Sequence, residues 1–120
     1  KPKKYTRAYV ILSKNNEVLV RRRSTSGMLP SMLEVPNDQW TTDKKMLVKD
    51  RILKLYKKKL MNCNSIIYSF SHFNLEIKIY FIKVRKIKFK RSLWISLNKI
   101  DNSGMPTIMK KIVKLYLKSV

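Results

Sequence analysis

The chain has 120 residues, enough for one hydrophobic core and too few for a second. Its 44% apolar and 10% aromatic content excludes a disordered chain. The 28 lysines and arginines stand against seven acids, and the net charge of +21 draws polyanions, nucleic acid ahead of acidic small molecules.

Part of that charge reads as compositional drift, since Lys, Ile and Asn are all abundant, as in an AT-rich genome. No membrane partner is expected. Apolar runs such as Val10-Ile11-Leu12 and Ile79-Tyr80-Phe81-Ile82 are too short to cross a bilayer, and no basic amphipathic helix is free of a core role. No signal peptide is expected either, because the basic start leads into strand-like alternation. The first residue is Lys1, so the chain is expected to be a fragment of a longer protein. Cys63 stands alone, which excludes an internal disulfide and a cysteine-rich metal site, and fits a reducing cytosol.

In chain order, residues 5–13 are rich in β-branched and aromatic side chains and predict a strand. Lys14-Asn15-Asn16 supplies a turn, and residues 17–23 return as the second strand of a hairpin. Residues 24–27 break the pattern, and 28–36 form an apolar, Pro-bounded loop with a short strand. Residues 42–60 read as a helix, with Met46, Val48, Ile52, Leu53, Leu55, Tyr56 and Leu60 in one arc. Lys44, Arg51, Lys54, Lys57 and Lys58 fill most of the remainder. Residues 62–65 end it. Residues 66–88 carry one long strand or two, interrupted at Phe70-Ser71-His72-Phe73. Apolar character then moves from odd positions to even ones, which predicts a bulge near residues 80–82. Residues 94–96 are a short strand and 101–104 a turn. Pro106 opens a last helix with Ile108, Met109, Ile112, Val113 and Tyr116 on one face. The order predicts an α/β (α+β) domain, a mixed sheet covered by helices.

His72 is the only histidine, and it stands beside Ser71. Neighbours on a strand point to opposite faces, so the pair would diverge rather than act as nucleophile and base. A hydroxyl offered to a ligand from a strand-end loop is the better reading.

These pieces together resemble the C-terminal, Nudix (MutT-like) domain of adenine DNA glycosylases, the MutY family. Residues 18–23 are similar to the family's strand ending in arginines. Residues 27–36 (GMLPSMLEVP) resemble its Gly-Leu-Leu-Gly-Gly-Leu-Trp-Glu-Phe-Pro run, with Pro30-Ser31 replacing the glycine pair and Leu33 the tryptophan. Phe70-Ser71-His72 matches its Phe-Ser-His loop, and Trp94 with Met105-Pro106 its C-terminal Trp and Leu-Pro. The four pieces occur in order and span nearly the whole chain.

The resemblance implies a Nudix-like fold and recognition of 8-oxoguanine paired with adenine in double-stranded DNA, in base excision repair. The recognising residues would be Phe70, Ser71 and His72. It also implies that this chain is the non-catalytic part of the glycosylase. The adenine-excising acids and the cysteines of a 4Fe-4S cluster belong to the N-terminal domain, the implied intramolecular partner. No cofactor or metal is expected here, and the implied setting is the bacterial cytoplasm, at the nucleoid. The chemistry is consistent: 8-oxoguanine carries a new carbonyl at C8 and a proton on N7, and one hydroxyl can read either. Phe70 and Phe73 read first as core residues and His72 as a structural histidine. For Ser71 alone the motif puts function first.

Two other classes compete. A Nudix hydrolase of nucleoside diphosphate derivatives needs several glutamates on one helix turn to hold Mg²⁺. The corresponding residues 43–60 carry only Asp43 and Asp50, about 10.5 Å apart along a helix, with lysines elsewhere. The expectation is a Nudix fold without a functional Nudix box. A general basic nucleic-acid-binding module explains the charge and nothing else.

Overall fold

A computed structural model of the chain describes residues 1–46, 50–56 and 59–119. Its strands are β1 (Lys3–Ser13), β2 (Glu17–Arg22), β3 (Leu33–Glu34), β4 (Met61–Ser69), β5 (Asn74–Val84) and β6 (Ser92–Ser96). Its α-helices are α1 (Arg51–Tyr56) and α2 (Thr107–Ser119). The sheet order is β3-β2-β1-β5-β4, with β6 also on β2. β1 runs parallel to β5 from Lys3↔Asn74 to Ser13↔Val84, and the other pairings are antiparallel. This is the expected mixed sheet flanked by helices.

The first hairpin turns as its residues require. Asn16 takes φ 57°, a left-handed conformation that asparagine tolerates. Ser13 Oγ accepts the N–H groups of Asn15 and Glu17 at 3.2 Å each.

Both faces of the sheet are covered. On one, Ala8, Val10, Val18, Leu75, Ile77 and Ile79 meet Ile108, Met109, Ile112, Val113 and Tyr116 of α2. On the other, Tyr9, Ile11, Leu19 and Ile82 pack with Ile52 and Tyr56 of α1. β1 is consequently apolar without alternation, as in strands buried on both faces. The double covering also corrects the bulge predicted at 80–82. β5 pairs with β1 without interruption through Val84. Its odd residues face α2 and its later even ones face α1, so the change of parity records which face is covered. The register shift lies in β4, between Asn62 and Asn64.

The helix expected over 42–60 is corrected as well. Asp43 Oδ1 accepts the Lys45 N–H (2.9 Å) and begins a 3-10 turn at Lys44–Met46. Asp50 is not helical; its Oδ1 accepts the Ile52 N–H (3.1 Å) at the start of α1. Each aspartate caps its own short turn, a local bond that competes with continuing a helix. Val48, Lys57 and Lys58, and the side chains of Met46, Leu53, Leu55 and Cys63, lie outside the described residues. β4 begins at Met61, so residues 62–65 belong to a strand rather than to a helix end.

The C-terminal part follows expectation closely. A 3-10 turn spans Leu97–Asn102, and Gly104 turns the chain at φ 78°. The Pro106 carbonyl accepts the N–H groups of Met109 (3.0 Å) and Lys110 (3.1 Å) as α2 begins.

Candidate nucleic-acid interface

β4 and β5 join in a two-residue turn. The Phe70 N–H donates to the Phe73 carbonyl (2.8 Å), and Ser69 Oγ donates to Asn74 Oδ1 (2.8 Å). Lys1 Nζ ties the Phe70 carbonyl to the start of the chain (3.0 Å). Ser71 and His72 therefore sit at a hairpin tip, both exposed, and not on a strand. The corrected geometry leaves the earlier conclusion intact: no hydrogen bond joins the two, and no catalytic pair is formed.

The tip stands on an aromatic base. Phe73 is buried, and half-buried Phe70 stacks on it at 4.9 Å between ring centres. Tyr68 meets Phe70 edge-on at 5.0 Å, and Trp40 lies 5.6 Å from it. Lys4 Nζ sits 4.5 Å above Phe73. Phe70 thus supports the turn from behind, while Ser71 and His72 are the groups offered outward.

Trp40 links this hairpin to a buried ionic network. Its indole N–H donates to Asn37 Oδ1 (2.9 Å), and the Arg23 guanidinium covers its ring at 4.5 Å. Asn37 Nδ2 donates to Glu34 Oε1 (2.7 Å) and to the Val35 carbonyl (2.8 Å). Arg23 pairs with Glu34 Oε1 (2.6 Å) and Arg21 with Glu34 Oε2 (2.9 Å). Arg21 also reaches Asp50 Oδ2 (2.7 Å). Asp38 accepts from the Tyr9 hydroxyl (2.7 Å), the Asp50 N–H (2.8 Å) and Arg7. Burial works against the Arg21 charge, but Glu34 and Asp50 outweigh it and raise its pKa. Burial, then the bond to Asp38, holds the Tyr9 hydroxyl well above its ordinary value.

The arginines of β2 divide by strand alternation. Arg21 and Arg23 turn inward to the carboxylates, and exposed Arg22 turns out, its guanidinium donating to the Ser31 carbonyl (3.2 Å). Of the other motif residues, Trp94 packs in the α1-side cluster and donates to the Ile87 carbonyl (2.8 Å). Met105 and Pro106 are buried beneath α2. The sequence analysis missed Asn37, Asp38 and Trp40. Their only signal was an Asn-Asp-Gln-Trp run after Pro36, and no spacing rule ties that run to a hairpin thirty residues on.

A NUDIX domain family model matches residues 7–115, and the chain belongs to that family. Solved structures with this fold include the C-terminal domain of mouse MUTYH in complex with human PCNA. It is 17% identical, with TM-score 0.75, and the match covers 96% of this chain and 88% of that one. The MutT protein from Methanosarcina mazei Go1 is 14% identical, with TM-score 0.68, covering 98% and 96%. Shewanella oneidensis NrtR, complexed with a 27mer DNA, is 10% identical, with TM-score 0.68, covering 94% and 60%. At these identities the likeness is one of fold. No curated protein matches the chain by sequence.

Hydrolysis on this fold calls for a divalent metal held by clustered carboxylates. Here Glu34, Asp38 and Asp50 already accept from Arg7, Tyr9, Arg21, Arg23 and Asn37. Among the described residues no three His, Cys, Asp or Glu side chains are placed to hold a metal ion. The donor set does not fit a magnesium site.

Proposed function

We propose that this chain is the lesion-recognition domain of an A/G-specific adenine DNA glycosylase, non-catalytic by itself, sensing 8-oxoguanine opposite adenine in duplex DNA. The observation that carries this reading is the exposed Ser71–His72 turn on its Phe70, Phe73 and Trp40 base. A supported hydroxyl pays little ordering entropy on binding and can accept from N7–H or donate to the C8 carbonyl of the lesion. His72, exposed beside it, would meet a base edge or a phosphate. The fold likeness to the mouse MUTYH domain, and to a protein solved with DNA, supports the reading. Its partners are the damaged duplex and an N-terminal glycosylase domain carrying the excising acids and the 4Fe-4S cluster, in a bacterial cytoplasm at the nucleoid.

The test is single-turnover adenine release, with binding, in the intact enzyme containing this domain. Duplexes carrying adenine opposite 8-oxoguanine are compared with adenine opposite guanine. Ser71→Ala should lose about 1–2 kcal/mol of preference for the lesion, or roughly five- to thirtyfold, with little change on the undamaged mismatch. Equal losses on both duplexes would remove the lesion-sensing role. The competing reading, a Nudix hydrolase, is opposed by the arginine-occupied carboxylates.

A further inference from the structure

Residues 85–91 (RKIKFKR) link β5 to β6 and carry five cations in seven positions. Three contacts pin this segment to the α1 side of the sheet. Lys86 pairs with Glu17 Oε1 (3.1 Å), the Ile87 carbonyl accepts from Trp94, and Phe89 meets Tyr56 edge-on at 6.4 Å. Arg85, Lys88, Lys90 and Arg91 are exposed, and their side chains have no partner among the described residues. The Arg21↔Ser92 register brings the end of the segment beside the end of β2.

There an open groove of about 900 Å³ lies between Arg22, Thr25, Arg51, Lys90 and Arg91. The acid that lines it is Glu34, both of whose oxygens are taken by Arg21 and Arg23. No aromatic ring or side-chain amide among the described residues lines it to receive a base, so it suits phosphate rather than a whole nucleotide. Arg23 forms part of its wall and also covers Trp40, which packs against Phe70 behind the hairpin tip. Arg23 thus joins the wall of the groove, through Trp40, to the aromatic base of the tip.

We propose that this groove, continued by Lys88 and Arg85, is a phosphodiester-backbone track that seats duplex DNA with the Ser71–His72 turn against its bases. The track rests on the DNA-recognition reading and supplies its non-specific part. Residues 85–91 reach at most about 20 Å, the length of roughly six nucleotides of one strand. Arg51, Arg85, Lys88, Lys90 and Arg91, all exposed, would neutralise about five phosphates.

The experiment is fluorescence anisotropy of this chain with an undamaged duplex of about 20 base pairs over a salt series. Five contacts predict a slope of log K against log salt of about −4.5. The triple variant Arg51→Ala, Lys90→Ala, Arg91→Ala should bring it to about −2, and Arg85→Gln with Lys88→Gln, both at exposed positions, should lower its magnitude by almost two. A charge-matched control, Lys99→Ala, Lys114→Ala, Lys118→Ala, removes cations on the α2 side and should leave the slope unchanged. Equal loss in the control, or an unchanged slope in both track variants, overturns the track while leaving DNA recognition standing. Displacement of the duplex by inorganic triphosphate at equal phosphate concentration would make the groove a small-anion pocket and also overturn it. Failure of the wild type to bind duplex at low salt overturns the DNA reading and the track with it.

Discussion

Ser31 holds φ 59°, at the place where the resembled family carries the second glycine of a pair. A left-handed conformation costs a residue with a Cβ about 1–2 kcal/mol, partly offset when glycine replaces it by the greater freedom of the unfolded chain. Ser31→Gly should therefore stabilise the domain by about 0.5–1 kcal/mol in chemical denaturation. Tyr9 is fully buried and donates to Asp38. Its folded pKa lies above the unfolded value near 10, so its contribution is complete below about pH 10 and is lost as pH rises further. Unfolding free energies between about pH 8 and 11 should fall more steeply for wild type than for Tyr9→Phe. At neutral pH the variant should be weaker by about 1–2 kcal/mol, because Asp38 loses a donor.

At the scale of elements, the β4–β5 hairpin gains its orientation from a residue outside it. Trp40 meets Phe70, Phe73 (6.2 Å) and Arg23, and holds Asn37. Trp40→Ala should cost about 2–3 kcal/mol of stability and weaken lesion preference, although Trp40 is not among the outward-facing groups of the turn. Phe70→Ala should lower stability or affinity for damaged and undamaged duplexes alike, since its ring packs against Phe73 and Trp40. Comparing both variants with Ser71→Ala separates support of the turn from recognition by it.

For the whole molecule, a net charge of +21 acts on folding and binding in opposite directions. Cations crowded on so small a body repel one another, and salt screens that repulsion over about 8–10 Å. Raising NaCl from about 0.02 to 0.3 M should raise Tm while affinity for duplex DNA falls. Opposite signs in the two measurements would show that the charge serves binding at the expense of the fold. A clean preparation should also leave 8-oxo-dGTP intact with magnesium present, because its buried carboxylates are held by arginines; metal-dependent turnover lost on Asp50→Asn would reverse that expectation.

Local chemistry was enough to read the first hairpin from Asn15-Asn16, α2 from Pro106 and its apolar stripe, and the β4–β5 interruption from Phe70-Ser71-His72-Phe73. Those signals lie within a few residues of what they specify. The separate caps made by Asp43 and Asp50 were not legible, because apolar periodicity ran through both and Asp50 is drawn out of the helix by Asp38 and Arg21. The parity change in β5 was visible, but its cause was not, since which face a helix covers depends on the packing of α1 and α2. The sequence alone determined the sheet's apolar strands, the last helix and the Ser71–His72 turn. Only the tertiary structure decided that Arg21 and Arg23 neutralise Glu34, that Trp40 stands behind Phe70, and that residues 85–91 return to Arg22: contacts between distant segments are chosen by burial and charge pairing across the fold, which no local pattern encodes.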